Sequence, residues 1–164
     1  MEISKELQDF LNDDHVLDLI SAGDYKTLFS MQTLSRRTMN YSQLHSVLLN
    51  SGIASTQEIL DILGYVPDGF FSMFDNLTSI KLPHNITSIG AYAFSDCSSF
   101  TSGCIGLTSF IVPNGVTSIG SHAFTECYNL KTIYFNGTKD QWKQVKKAGN
   151  WKSGTNSVKI ICRG

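Results

Sequence analysis

The feature that most constrains this 164-residue chain is an internal repeat. Residues 77–97 read LTSIKLPHNITSIGAYAFSDC and residues 107–127 read LTSFIVPNGVTSIGSHAFTEC, with eleven of the 21 positions identical at an offset of 30. A third start, LKTIYF at Leu130, follows Leu107 by 23 residues, so the first unit carries a seven-residue surplus around 98–105, SSFTSGCI. Upstream, FSMFDNL at 71–77 lines up with FTECYNL at 124–130, and Val66-Pro67 echoes Leu82-Pro83 and Val112-Pro113. A truncated unit therefore precedes the two full ones. Spacing of this length marks a stack of like units, none of which can bury its apolar face alone.

Each unit reads as one coil of a short solenoid. L-x-x-I-x-L turns Leu77, Ile80 and Leu82, then Leu107, Phe110 and Val112, to the inside of a short strand. Pro83 and Pro113 end those strands, because proline has no N–H for the ladder. Ile86, Ile89, Val116 and Ile119 return inward, and Gly90 and Gly120 are expected to permit a turn that residues with side chains resist. Ala93, Phe94 and Cys97 recur as Ala123, Phe124 and Cys127 and fill the layer between coils. So few units need a cover at both ends.

The flanks supply candidate covers. Residues 1–65 show no repeat and read as short helices. Asp13 or Asp14 caps one that Gly23 stops, Asn40 precedes an apolar face of Leu44, Val47, Leu48 and Leu49, and Gly52 follows. Ser55 and Glu58 have capping-box spacing before Ile59, Leu60, Ile62 and Leu63, with Gly64 as the stop. Phe70, Met73 and Phe74 seal this head against the first coil. The tail, Ile133–Cys162, reads as strand, helix and strand, with Thr138 and Gln141 as a second capping box and Trp142 and Trp151 as the roof. It gives the C-terminus the look of a natural end.

Charge follows the same division. Residues 1–65 carry four basic and nine acidic side chains, a net of −5; 66–130 carry one and four, a net of −3; 131–164 carry eight and one, a net of +7. The whole chain is near neutral at −1 with 41% hydrophobic residues, which excludes a disordered chain and a generally basic nucleic-acid binder. No apolar run approaches the length of a membrane span, and the acidic, amphipathic start shows no secretory signal, so a soluble, cytoplasmic protein is expected.

The repeat pattern L-T-S-I-x-x-P-x-x-[IV]-T-S-I-G-x-x-A-F-x-x-C resembles the BspA-type leucine-rich repeats of bacteria, their phages and some protozoa. The tail is similar to the end-piece that closes many such arrays. The helical head followed by GYVPDGFF and a short array resembles small bacteriophage-encoded proteins of this kind. The resulting expectation is an α+β chain: a helical subdomain over 1–65, repeats over 66–135 and a basic cap over 136–164.

Enzymatic constellations are absent from the wording of the chain. The four cysteines form no C-x-x-C; Cys97 and Cys127 read as buried apolar layer residues, and a Cys97–Cys104 bridge is the lesser alternative. His15, His45, His84 and His122 lie in different elements and join no nucleophile motif, and no metal or cofactor is expected. Tyr92 and His122, at one repeat position, read as exposed coil residues. Between the inward strand positions, Ser79 and Lys81, Ser109 and Ile111, and Thr132 and Tyr134 face outward, with Ile111 and Tyr134 as exposed anchors. Lys139, Lys143, Lys146 and Lys147 follow helical spacing around Trp142 and Val145 and form a solvated face, or else a dock for an acidic protein or a nucleic-acid backbone. Candidate contacts are thus Lys81, Ile111, Tyr134, Tyr92, His122, Lys143, Lys146 and Lys147.

The function expected is non-enzymatic binding of another protein. Carried through the phage resemblance, it becomes inhibition of a host factor such as a CRISPR–Cas or other defence effector, acting in the host cytoplasm. A structural or adhesive virion or surface protein is the alternative. Nucleic-acid binding through the lysine tail is the weaker one. The acidic head of one molecule could also meet the basic tail of another.

Overall fold

A computed structural model describes residues 5–31, 40–72, 80–95, 107–155 and 157–164. The expectations placed on Met73, Phe74, Leu77, Ser79, Cys97, Cys104 and the 98–105 surplus fall outside the described residues.

Among the described residues five short helices come first: α1 (Lys5–Leu11), α2 (Asp14–Ala22), α3 (Tyr25–Ser30), α4 (Asn40–Asn50) and α5 (Thr56–Leu63). Helices this short depend on caps and packing rather than on propensity. The Asp13 side chain accepts hydrogen bonds from the amides of His15 and Val16, and Gly23 ends α2 at φ 68°. The Ser55–Glu58 box is complete in both directions, and Gly64 ends α5 at φ 73°. Two apolar positions differ from the reading: Leu49 and Ile62 are 39% and 41% exposed. In α4 the buried face is instead built from Ser42, Leu44, His45 and Leu48, all 0% exposed.

Among the described residues the repeats and the tail together build two three-stranded parallel sheets. In one, β1 (Ser88–Ile89), β3 (Ser118–Ile119) and β5 (Lys146–Lys147) lie side by side; in the other, β2 (Ser109–Val112), β4 (Thr132–Phe135) and β6 (Lys159–Cys162) do. Ser88 pairs with Ser118 and Ser109 with Thr132, the 30- and 23-residue spacings of the sequence. Helix α6 (Lys139–Gln144) joins β4 to β5 behind the complete Thr138–Gln141 box. Repeated threonines knit the units twice over: Thr87 gives its amide and hydroxyl to the Gly64 carbonyl, and Thr117 gives both to the Thr87 carbonyl.

The turns between the sheets stack as regularly as the strands. Phe71 N–H donates to the Ala93 carbonyl, Phe94 to Ala123 and Phe124 to Trp151, each at 2.8 Å. Their rings follow: Phe71, Phe94 and Phe124 stack nearly parallel, with centroids 5.0 and 5.1 Å apart, and Trp151 closes the series edge-on at 6.1 Å. The interval is close to the spacing of neighbouring strands, so one ring per unit fills one layer. Cys127 is buried beside them, its thiol 3.5 Å from the Phe94 carbonyl.

Three expectations need correction. Val66 does not stand where Leu82 and Val112 stand; it bridges to Ile89 and so continues the β1–β3 ladder. Gly90 and Gly120 are not left-handed, since the positive-φ residues are others. They are required by contact, because a Cβ on Gly90 would lie 2.5 Å from the Asp68 nitrogen and one on Gly120 2.5 Å from the Ala91 nitrogen. Lys146 and Lys147 are not helical. Helix α6 ends at Gln144, Val145 turns inward at 5% exposure, and the two lysines pair with Ser118 and Ile119 as β5. Strand pairing has overridden the helical spacing.

Candidate protein-binding face

The outward side of the second sheet assembles part of the expected surface. Ile111, Tyr134 and Ile161 stand in register across β2, β4 and β6. Alternation along each strand puts Phe110, Val112, Ile133 and Phe135 in the core, at 1% exposure or less, and leaves these three half-buried on the other side. The Arg163 guanidinium lies 4.0 Å from the Tyr134 ring centre, so the anchor is covered in part rather than fully exposed. Such a pair presents an aromatic ring and a fixed cation together.

Lys81 precedes Ile111 by 30 residues, the offset of the repeat. It is exposed, and its carbonyl accepts a 2.7 Å hydrogen bond from the Gln57 side chain of α5. Between Lys81–His84 and Ile111–Asn114 runs an open groove of about 820 Å³, with Gln57 and Asp61 on its helical side. The groove brings Lys81 and Ile111 together, while Ile111 and Tyr134 are cross-strand neighbours.

Tyr92 and His122 form a separate pair on the stacked turns. Their rings stack at 4.8 Å, and both residues are left-handed, at φ 58° and 54°. Gly69 holds the equivalent place in the truncated unit at φ 65°, where no side chain is strained. Tyr92 is 37% exposed, but His122 is half-buried, its nitrogens 2.9 Å from the Thr125 hydroxyl and 2.8 Å from the Asn150 side-chain nitrogen. His122 is therefore not the exposed residue expected.

The lysines divide. Lys143 is exposed and pairs with Asp140 at 3.2 Å, and Lys146 is exposed on β5. Lys147 is half-buried and engaged: its ammonium donates to the carbonyls of Trp142 and Val145 and lies 4.4 Å from the Trp142 ring centre. Burial lowers its pKa. Its role is to hold the last turn of α6 to β5.

Sequence reasoning missed Gln57 and Asp61, which meet the repeats only through folding, and it missed Arg163. Ile161 was accessible, since aligning KIIC with TIYF places it beside Tyr134. Among the described residues there is no group of His, Cys, Asp or Glu able to hold a metal ion, and no helix long and apolar enough to cross a membrane.

No curated protein and no solved structure matches the chain. A family model does, the BspA type Leucine rich repeat region, over residues 26–102 and 98–144. The match begins within α3 of the head and runs through α6. Leucine-rich-repeat domains generally bind other proteins and are generally not enzymes. Well over half of the chain is thus matched, and it belongs to the BspA-type leucine-rich repeat family.

Proposed function

We propose that this chain is a non-enzymatic binding module that engages another protein through the outward strand face. In this reading residues 1–65 are the head, 66–135 the repeats stacked as a short solenoid, and 136–164 the basic cap. The observation that carries it is the register of Ile111, Tyr134 and Ile161, which sets three half-buried apolar groups in one row beside an open groove. An apolar centre with a charged rim of Lys81 and Arg163 is the composition that interfaces use. The finer reading, a phage-encoded inhibitor of a host defence protein working in the host cytoplasm, extends this proposal from the wording of head and array, and no curated relative adds to it.

The test is capture from a bacterial lysate with the intact chain as bait. Ile111→Asp combined with Tyr134→Ala should lose a partner that the wild-type chain retains, with melting nearly unchanged. Reversing Lys143 and Lys146 to glutamate should alter association rate and salt sensitivity, as rim charges do. If the strand variant keeps the partner and the charge reversal loses it, the basic cap is the site instead.

A further inference from the structure

We propose that the open edge of β6 is a second docking surface, which takes an extended acidic segment of a partner protein as a fourth strand. It goes beyond the outward-face reading, because the edge of a sheet points away from both of its faces.

Among the described residues β6 is the last strand of its sheet, with β4 on one side only. The Lys159 amide donates to the Lys131 carbonyl at 2.9 Å and the Arg163 amide to the Phe135 carbonyl at 2.8 Å. Backbone groups alternate sides along a strand, so those of Ile160 and Cys162 point to the open side. The same end of the core is unfinished. Ile160 and Cys162 are half-buried, whereas their neighbours on β4, Ile133 and Phe135, are 0% exposed. An added strand would pair those backbone groups and cover those side chains.

Charge selects the occupant. The last 34 residues carry eight basic side chains against Asp140 alone, and Lys159 is exposed on the edge strand itself. Cations on an edge strand discourage pairing with a like-charged edge. Here they oppose tail-to-tail association of two copies and favour an acidic strand, so the same residues repel one class of partner and attract another. Edge addition of this kind draws its affinity from main-chain hydrogen bonds and its selectivity from alternate side chains.

The probe is a fluorescein-labelled, end-capped peptide of eight alternating glutamates and valines, titrated into the full chain, with the lysine–valine counterpart as control. Only the acidic peptide should bind, and more weakly as salt rises. Cys162→Pro removes one outward N–H and leaves the amides that face β4, a placement an edge strand tolerates. It should weaken binding about tenfold or more with melting retained. Lys159→Glu should weaken it as well. Should Cys162→Pro fail to fold, amide exchange on the wild-type chain decides: the peptide should protect Ile160 and Cys162. No binding, equal binding of the basic peptide, undiminished binding by a folded Cys162→Pro, or protection confined to other strands would each overturn the proposal.

Discussion

The two ends of the aromatic stack are finished differently. At the head end Phe71 meets Phe70, which lies flat on His45 with ring centroids 3.9 Å apart, and all three are 1% exposed or less. At the other end Phe124 meets Trp151 edge-on and Trp142 leans on both Trp151 and Phe135, yet Trp142, Ile160 and Cys162 stay half-buried. The head is a seal. The tail is a partial cover that carries the cations and, among the described residues, the last strand of each sheet.

The strongest perturbation of that contrast lies in the stack itself. Phe94→Ala and Phe124→Ala should each cost roughly 3–5 kcal/mol, the range for a buried phenylalanine, a large part of the stability of an ordinary domain. Trp142→Ala, at the half-open end, should cost less in the same thermal melts. Two phenylalanine variants with unchanged melting would break the layer account.

The sealed end also predicts a pH dependence. Burial lowers the His45 pKa from 6.5 to about 4, against a smaller opposing effect of its hydrogen bond to the Phe70 carbonyl. The unfolded chain therefore takes up a proton near pH 6.5 that the folded chain refuses until about pH 4. Stability should be full above pH 6.5 and fall by about 3 kcal/mol between those values. Denaturant melts across that range should lose this part of the slope in His45→Phe, whatever that variant costs at neutral pH.

Smaller effects sharpen the comparison. Gly120→Ala should cost about 1–3 kcal/mol, because the added carbon meets the backbone of Ala91 rather than a side chain that can turn aside. Lys147→Met should cost about 1 kcal/mol, because the Val145 carbonyl loses its donor and the Trp142 carbonyl keeps only the Val145 amide. Lys143→Met should change melting very little, since its ion pair with Asp140 is exposed. Equal effects of the two lysine substitutions would contradict the division of the tail made above.

What the sequence disclosed was what repeats or caps locally. Both capping boxes, the glycine stops of α2 and α5, the inward strand residues and the two register offsets follow from spacing alone. What it concealed depends on contact between distant residues. Helical spacing pointed to a lysine face through Lys147, but pairing with β3 drew Lys146 and Lys147 into a strand. His45 looked like one polar residue on an apolar helix, and only the folded chain brings Phe70 and the Thr56 hydroxyl against it. In the candidate face, Lys81, Ile111 and Tyr134 were legible as outward positions. The α5 wall at Gln57 and Asp61, and the Arg163 cover on Tyr134, depend on how elements meet.

Native-state hydrogen exchange of the unliganded chain tests the contrast between the two ends most directly. The amides of Phe71 and Phe94, bonded within the buried turn ladder, should exchange only as fast as global unfolding allows. Those of Ile160 and Cys162, on the open side of β6, should exchange orders of magnitude faster, while the neighbouring Lys159 and Arg163 amides are protected by β4. Equal protection of Ile160, Cys162, Phe71 and Phe94 would show that the tail end is sealed like the head, and would contradict the account.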